Sequence, residues 1–202
     1  MKNLLRSTFG LALAGLAGCA SHDTRLTSST TQYLVSGGHV VEKTSTGGIV
    51  DNVSYWDGDG EDGKPSITID LGEQKAFFYK NNRLVGVSMI SSGREGYSTP
   101  AGSFKIIQKN KDHVSNLYGD YVDGSGNVVV ANVGVKKDPK PPGALFRGAP
   151  MPYFMRIHGG VGMHAGFLPG FPASHGCIRM PERMAQIFFA NVSHGTPVRV
   201  VN

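Results

Sequence analysis

Cysteine is nearly absent from this chain. Cys19 and Cys177 are the only two in 202 residues, too few for a disulfide framework. With no Cys-x-x-Cys and no His-Glu-x-x-His spacing, the usual zinc signatures are missing as well, and no metal or cofactor is expected. Past the first residues there is no apolar run long enough to cross a bilayer as a helix. Basic residues are scattered, without a stripe or an aromatic–basic repeat, so nucleic acid is not an expected partner. The net charge of +5 gives a mildly positive surface suited to an anionic polymer or a membrane surface. No internal repeat of about 20–50 residues occurs, which excludes a solenoid or propeller. Asp57-Gly-Asp-Gly-Glu-Asp-Gly63 imitates a calcium loop, but its glycine comes one place late and its twelfth position is Thr68 instead of Glu. It reads as a solvated, turn-rich linker.

What is present begins with a leader. Lys2 and Arg6 precede the small, apolar run Phe9–Leu16, and Leu16-Ala17-Gly18-Cys19 follows. This order is that of a signal peptide. Its cysteine resembles the lipobox of bacterial lipoproteins, which implies cleavage after residue 18 and a lipid on Cys19 that anchors the chain to a membrane. Ala20 and Ser21 follow, without an Asp after the cysteine, and by the same resemblance this favours the periplasmic face of the outer membrane. Residues 19–65 are polar and rich in Ser, Thr and Gly, and read as a tether. The short segments Tyr33–Val35 and His39–Val41 are possible strands within it. With Cys19 blocked by lipid, Cys177 has no intramolecular partner. A lone thiol in an oxidising compartment is a liability unless it does chemistry.

From residue 66 the pattern becomes β. Ile67, Ile69 and Leu71 alternate with polar residues. Strands are expected at 75–79, 84–90, 103–107 and 196–201. Hairpins are expected around a tip at Asp123–Asn127 and a turn at His158–Gly160. Pro139-Lys-Pro-Pro-Gly143 forces an irregular loop, long enough to serve as a lid. One helix is expected, from Pro181 to Ala190, with Met184, Ile187 and Phe188 on its buried face. The fold class is therefore mainly β, a single domain over 66–202 with one short helix.

Chemistry concentrates in the 18 residues from Met163 to Met180, which hold two histidines, a serine and the lone thiol. Thiolate is the attacking species, and a neighbouring imidazole raises its fraction and returns the proton to a leaving group. Gly176 lets backbone pass close to a ligand, and the N–H groups of Gly176 and Cys177 are expected to meet a developing oxyanion. The helix after Pro181 offers its positive end to the thiolate.

Ser174-His175-Gly176-Cys177-Ile178-Arg179 resembles the signature of the L,D-transpeptidase catalytic domain, and the likeness extends to Thr99–Phe104, Ser115–Gly119 and Met151–Arg156. The resemblance implies a β-sandwich-like fold with the cysteine, Cys177, at the base of a cleft. It also implies attack on the stem tetrapeptide of peptidoglycan, a thioester, and resolution by an amine of a second stem, so that donor and acceptor stem peptides are the partners. Two upstream histidines compete for the role of base. Spacing leans to His158, 19 residues before Cys177 (177 − 158), a gap common in the family. Local geometry leans to His164, at 13 (177 − 164), because His158 abuts the expected hairpin tip; His164 is the expected base. His175, two residues from the thiol, should point away from it in extended backbone and brace the loop. Ser174 is expected to hydrogen-bond within that loop. Arg179 is expected either to hold a substrate carboxylate or to form a structural salt bridge. Tyr118, Tyr153 and Phe154 are candidate cleft walls.

Three other readings use the same residues. A thiol hydrolase would hand the thioester to water. A zinc protein would draw on His158, His164, His175 and Cys177. A non-catalytic wall-binding lipoprotein would keep the fold without needing the thiol.

Overall fold

The computed structural model describes residues 51–202 and, upstream, the backbone of a two-residue strand at Gln32–Tyr33 (β1). The leader, Cys19, His39–Val41 and most of the expected tether lie outside the described residues.

Two sheets form the domain. The first contains β1 with Tyr55–Trp56 (β2), Pro65–Asp70 (β3), Lys75–Lys80 (β4), Arg83–Met89 (β5), Gly102–Lys105 (β6) and Pro197–Val201 (β12), in the order β1-β2-β5-β4-β3-β12-β6. The second contains Gln108–Val122 (β7), Val128–Gly134 (β8), Leu145–His158 (β9), Val161–Ala165 (β10) and Ile178–Met180 (β11), in the order β11-β10-β9-β7-β8. The single helix of the described residues, Glu182–Asn191 (α1), follows β11 directly.

The alternation read from sequence is the alternation that packs. Ile67 and Ile69 of β3, Ala76 and Phe78 of β4, and Val198 and Val200 of β12 are all buried. They meet Met155 and Ile157 of β9, Met163 of β10 and Met180 of β11 in one core. Met184 and Phe188 of α1 are buried in it, and Ile187 packs against its edge. Phe188 meets Phe78 edge-on with centroids 4.9 Å apart, a geometry that favours aromatic pairs beyond their buried area. Pro181 stands just before the helix, where its missing N–H costs nothing.

Three expectations are corrected. The domain does not begin at residue 66. β2 pairs with β5, and Trp56 is buried edge-on against Phe78. The acidic Asp57–Gly63 stretch is not a free linker but a loop folded across that ring. Asp59 accepts the Trp56 indole N–H at 2.8 Å, and Lys80 donates to the carbonyls of Gly58 and Glu61. The strand expected at 103–107 ends at Lys105, and residues 108–117, too polar to read as strand, form the first part of the 15-residue β7. The tip at Asp123–Asn127 is as expected, with the Asp123 carboxylate capping the turn N–H groups of Ser125 and Asn127. The Pro139–Gly143 loop contributes no wall to the cleft described next.

Candidate active site

The site is built where β10 and β11 run parallel. Met163 lies level with Ile178, His164 with Arg179 and Ala165 with Met180. One step back along this register, Gly162 lies level with Cys177. Side chains alternate across a sheet, so Met163, Ala165, Ile178 and Met180 enter the core. His164, Cys177 and Arg179 share the opposite face, and all three line a cleft of about 590 Å³ together with Tyr118, Ser174 and His175. Cys177 and His164 are diagonal neighbours in this register, a relation that spans roughly 7–8 Å between backbones and brings long side chains within reach of each other.

The Cys177 loop is clamped by the segment after β5. Ser91 and Arg179 exchange both backbone hydrogen bonds, and the N–H groups of Ala173 and Ser174 bond to the Ser92 carbonyl. Thr99 Oγ1 donates to the Gly176 carbonyl at 2.9 Å and accepts the Gly93 N–H at 2.9 Å. Gly93 has no room for a side chain, since a Cβ there would stand 2.0 Å from the Tyr97 carbonyl oxygen and 3.0 Å from the Gly176 Cα. Gly176 itself has φ of 107°, a conformation natural only to glycine. Within the loop, Ser174 Oγ donates to the Cys177 carbonyl and accepts the Gly176 N–H at 3.0 Å. The loop role expected of Ser174 is therefore met. The Gly176 N–H, expected at an oxyanion, is already committed to Ser174.

The thiol rests over the β9–β10 turn and donates to the Gly160 carbonyl with a sulfur–oxygen distance of 3.5 Å. Burial pushes its pKa up, opposed by the Gly162 N–H and by the positive charges of Arg156 and Arg179. Strand β11 separates the sulfur from α1, so the helix end does not abut it as expected.

His164 is buried, and desolvation lowers its pKa to about 4 against the pull of its hydrogen bond to Ala165. Its Nδ1 lies 2.8 Å from the Ala165 carbonyl. A carbonyl only accepts, so the proton sits on Nδ1 and Nε2 carries a lone pair. Nε2 has no partner among the described residues and is not sealed from the cleft. His164 is thus a neutral imidazole presenting its basic nitrogen. His158, the rival, is exposed at the hairpin tip against Phe104, outside the cleft. The four-ligand zinc set is therefore not assembled.

His175 does not point away from the cleft. The positive φ of Gly176 breaks the alternation on which that expectation rested, and the imidazole lines the same cavity. It does brace the loop, stacked on Tyr118 with centroids 4.3 Å apart and edge-on to Tyr97 at 4.7 Å. Arg179 forms no ion pair among the described residues, which leaves its charge free beside the thiol. Tyr153 is not a cleft wall. Its ring packs on the helix side against Phe189, at 5.8 Å. Phe154 lies fully buried beneath His113, stacked at 4.2 Å. Arg94, Tyr97 and Thr99 were missed as site residues. Thr99 stands in a block noted for resemblance, whereas nothing local marks Arg94.

A two-sheet β domain with a thiol and a buried neutral imidazole facing one cleft belongs to the class of β-sandwich domains built around a cysteine–histidine site. The family model of the L,D-transpeptidase catalytic domain, YkuD, matches residues 64–200, and the chain belongs to that family. Among solved structures, an L,D-transpeptidase from Mycobacterium smegmatis is 18% identical, with a TM-score of 0.53 over 69% of this chain and 59% of its own. One from Enterococcus faecium is 27% identical, with a TM-score of 0.50 over 69% and 50%. L,D-transpeptidase 1 of Mycobacterium tuberculosis is 20% identical, with a TM-score of 0.50 over 69% and 62%. The matched part of each is thus between 50% and 62% of its length. No curated protein sequence matches the chain.

Proposed function

We propose that this protein is a peptidoglycan L,D-transpeptidase with Cys177 as nucleophile and His164 as general base and acid. One observation carries this reading: the sulfur, the free Nε2 of a neutral imidazole and an unpaired guanidinium share one face of one cleft. Thiol and imidazole both rest uncharged at neutral pH, so the proton passes from sulfur to His164 Nε2 as the sulfur attacks. The carbon attacked is the carbonyl after the third residue of a stem tetrapeptide. Its C–N bond breaks, the imidazolium returns the proton to the departing amine, and a thioester remains on Cys177. An acceptor amine then attacks the thioester carbonyl, His164 takes the amine's proton, and the thiol is restored. The Cys177 N–H meets the oxyanion in both steps; one such donor is typically worth roughly 3–4 kcal/mol in the barrier. Arg179 pairs with a stem carboxylate, and Tyr118 walls the cleft beside it.

The acceptor is a stem amine, giving a 3-3 cross-link, or the amine of a protein being joined to the wall. The leader and Cys19 support a lipid-anchored protein on the periplasmic side of the outer membrane, with residues from Ala20 onward as the tether. Membrane fractionation with a Cys19→Ser variant tests the anchor, which predicts release of the variant to the soluble fraction.

The activity is tested by intact mass after incubation with a disaccharide tetrapeptide. Wild type should gain the mass of the donor less the terminal amino acid it releases, and Cys177→Ala should gain nothing. A solved L,D-transpeptidase is described in complex with imipenem, and imipenem serves as a second acylating probe. The same adduct on wild type and Cys177→Ala would assign the nucleophile elsewhere. Muropeptide analysis with and without acceptor amine separates transfer from hydrolysis.

A further inference from the structure

The cleft holds two imidazoles, and the proposed reaction uses one. The other, His175, has its Nε2 2.9 Å from a guanidinium nitrogen of Arg94. Arginine has five N–H donors and no acceptor. The ring nitrogen that meets it must accept, so the His175 proton is on Nδ1. This Nδ1 has no partner among the described residues and is not a buried unsatisfied atom. An unpartnered N–H on a ring that lines the cleft is open to whatever occupies the cleft.

The ring is held in this state from several sides. Tyr118 stacks on one face, and the Tyr97 ring meets it edge-on. Arg94 and Lys137 both lie over the Tyr97 ring, at 4.6 and 4.5 Å, and Lys137 donates to its hydroxyl at 2.8 Å. Every charged group acting on His175 is a cation: Arg94 from the clamp segment, Arg179 from β11 and Lys137 from the turn after β8. Burial first, and then these charges, hold the imidazole below its ordinary pKa. Together these charges oppose a second proton on His175, and Asp138, which acts on Lys137, has its carboxylate bonded to the Gly134 N–H.

We infer that Arg94 is a positioning residue that locks His175 in its Nδ1–H form, so that His175 gives the cleft a neutral hydrogen-bond donor and never a base. The two imidazoles then divide the work. His164, bonded through Nδ1 to a carbonyl, shows the cleft a lone pair. His175, bonded through Nε2 to a guanidinium, shows it an N–H. The group that fits such a donor beside Arg179 is a carbonyl or carboxylate oxygen of the bound peptide. This last point rests on the transpeptidase reading, whereas the tautomer does not.

The tautomer is read directly in the full domain by 15N spectra of labelled histidine. Wild type should show His175 protonated on Nδ1 only, and uncharged down to well below the range in which exposed histidines titrate. Arg94→Lys, still a pure donor, should keep that form, and Arg94→Met should lose it and titrate at higher pH. A wild-type ring carrying its proton on Nε2 overturns the inference without any variant, and without touching the assignment of Cys177. For the role toward substrate, His175→Asn replaces the Nδ1–H with an amide N–H but cannot act as a base. It should acylate within a few-fold of wild type, while His175→Leu should lose about tenfold in kcat/KM, the worth of one hydrogen bond. Equal loss in both variants would show that the Nδ1–H is not what the ring supplies and would overturn the assignment. A wild type that forms no acyl-enzyme at all would defeat the transpeptidase reading and leave the tautomer lock standing.

Discussion

The two faces of β10 and of the segment from Cys177 through β11 do opposite things. On one face Met163, Ala165, Ile178 and Met180 are packed among α1 and the first sheet. On the other, His164, Cys177 and Arg179 stand around a cleft, each with its ionisation displaced by burial. The core face is stabilised by burial, while the cleft face carries the cost of desolvating polar groups. Substitutions on the two faces should therefore separate activity from stability.

The largest separation is expected at His164. His164→Gln removes the proton carrier, and the acylation rate should fall by about 10²–10⁴ while the thermal midpoint stays near that of wild type. A midpoint drop as large as a core deletion would break the division between faces. On the other side, Met163→Ala empties a fully buried site and should cost about 2–5 kcal/mol by urea unfolding, with kcat/KM of the folded fraction little changed. A specific activity that collapsed in step with stability would show that the faces are coupled.

A pH titration sharpens the contrast, because His164 carries the larger displacement of the two cleft histidines. Its folded pKa of about 4 lies below the ordinary 6.5. Between those values the unfolded chain binds a proton that the folded chain refuses, so stability rises with pH across this window and falls as the solution is acidified. The full loss approaches about 3 kcal/mol near pH 4. His164→Gln should reduce that slope in unfolding curves taken between pH 4 and 7, leaving the smaller part that His175 and His113 contribute. The smallest effect is expected at Arg179. Arg179→Lys keeps a charge but not a two-pronged donor, and should raise KM for a stem bearing free carboxylates by a few-fold and leave stability alone. An unchanged KM would remove Arg179 from the substrate contacts.

Much of this was legible beforehand. Alternation at Ile67, Ile69 and Leu71, the periodicity of Met184, Ile187 and Phe188, and the Ser174–Arg179 block are local signals, and local signals survive in a linear reading. The placing of His158 at an exposed turn was also local, the doublet Gly159-Gly160 marking a tip. What was not legible is non-local. Strand β7 is polar through Lys109–His113, and pairing with β9 makes it a strand in place of any propensity of its own. Trp56 lies in the stretch read as a polar tether, and only pairing with β5 makes it part of the core. Thr99 and Arg94 reach the Cys177 loop across about 80 residues of chain, and no spacing rule encodes such a contact. Tyr153 was misjudged because the face a strand residue takes depends on register, and its own φ of 58° interrupts that register.

Gly166 to Cys177 joins two parallel strands, and this has a consequence for how such proteins can vary. A hairpin ties the position of each strand to the length of its turn, whereas a parallel return is free of that tie. Here the return strand is docked by the bonds of Arg179 to Ser91 and of Gly166 to Met180, none of which counts the residues in between. Segments can be added to or removed from the outer part of the crossover, after the solvent-facing Phe167 and ahead of the clamped residues Phe171 to Gly176, and the sulfur will still arrive level with Gly162. The reach of the cleft's outer lip can therefore change from one such protein to another while the distance between imidazole and thiol stays put.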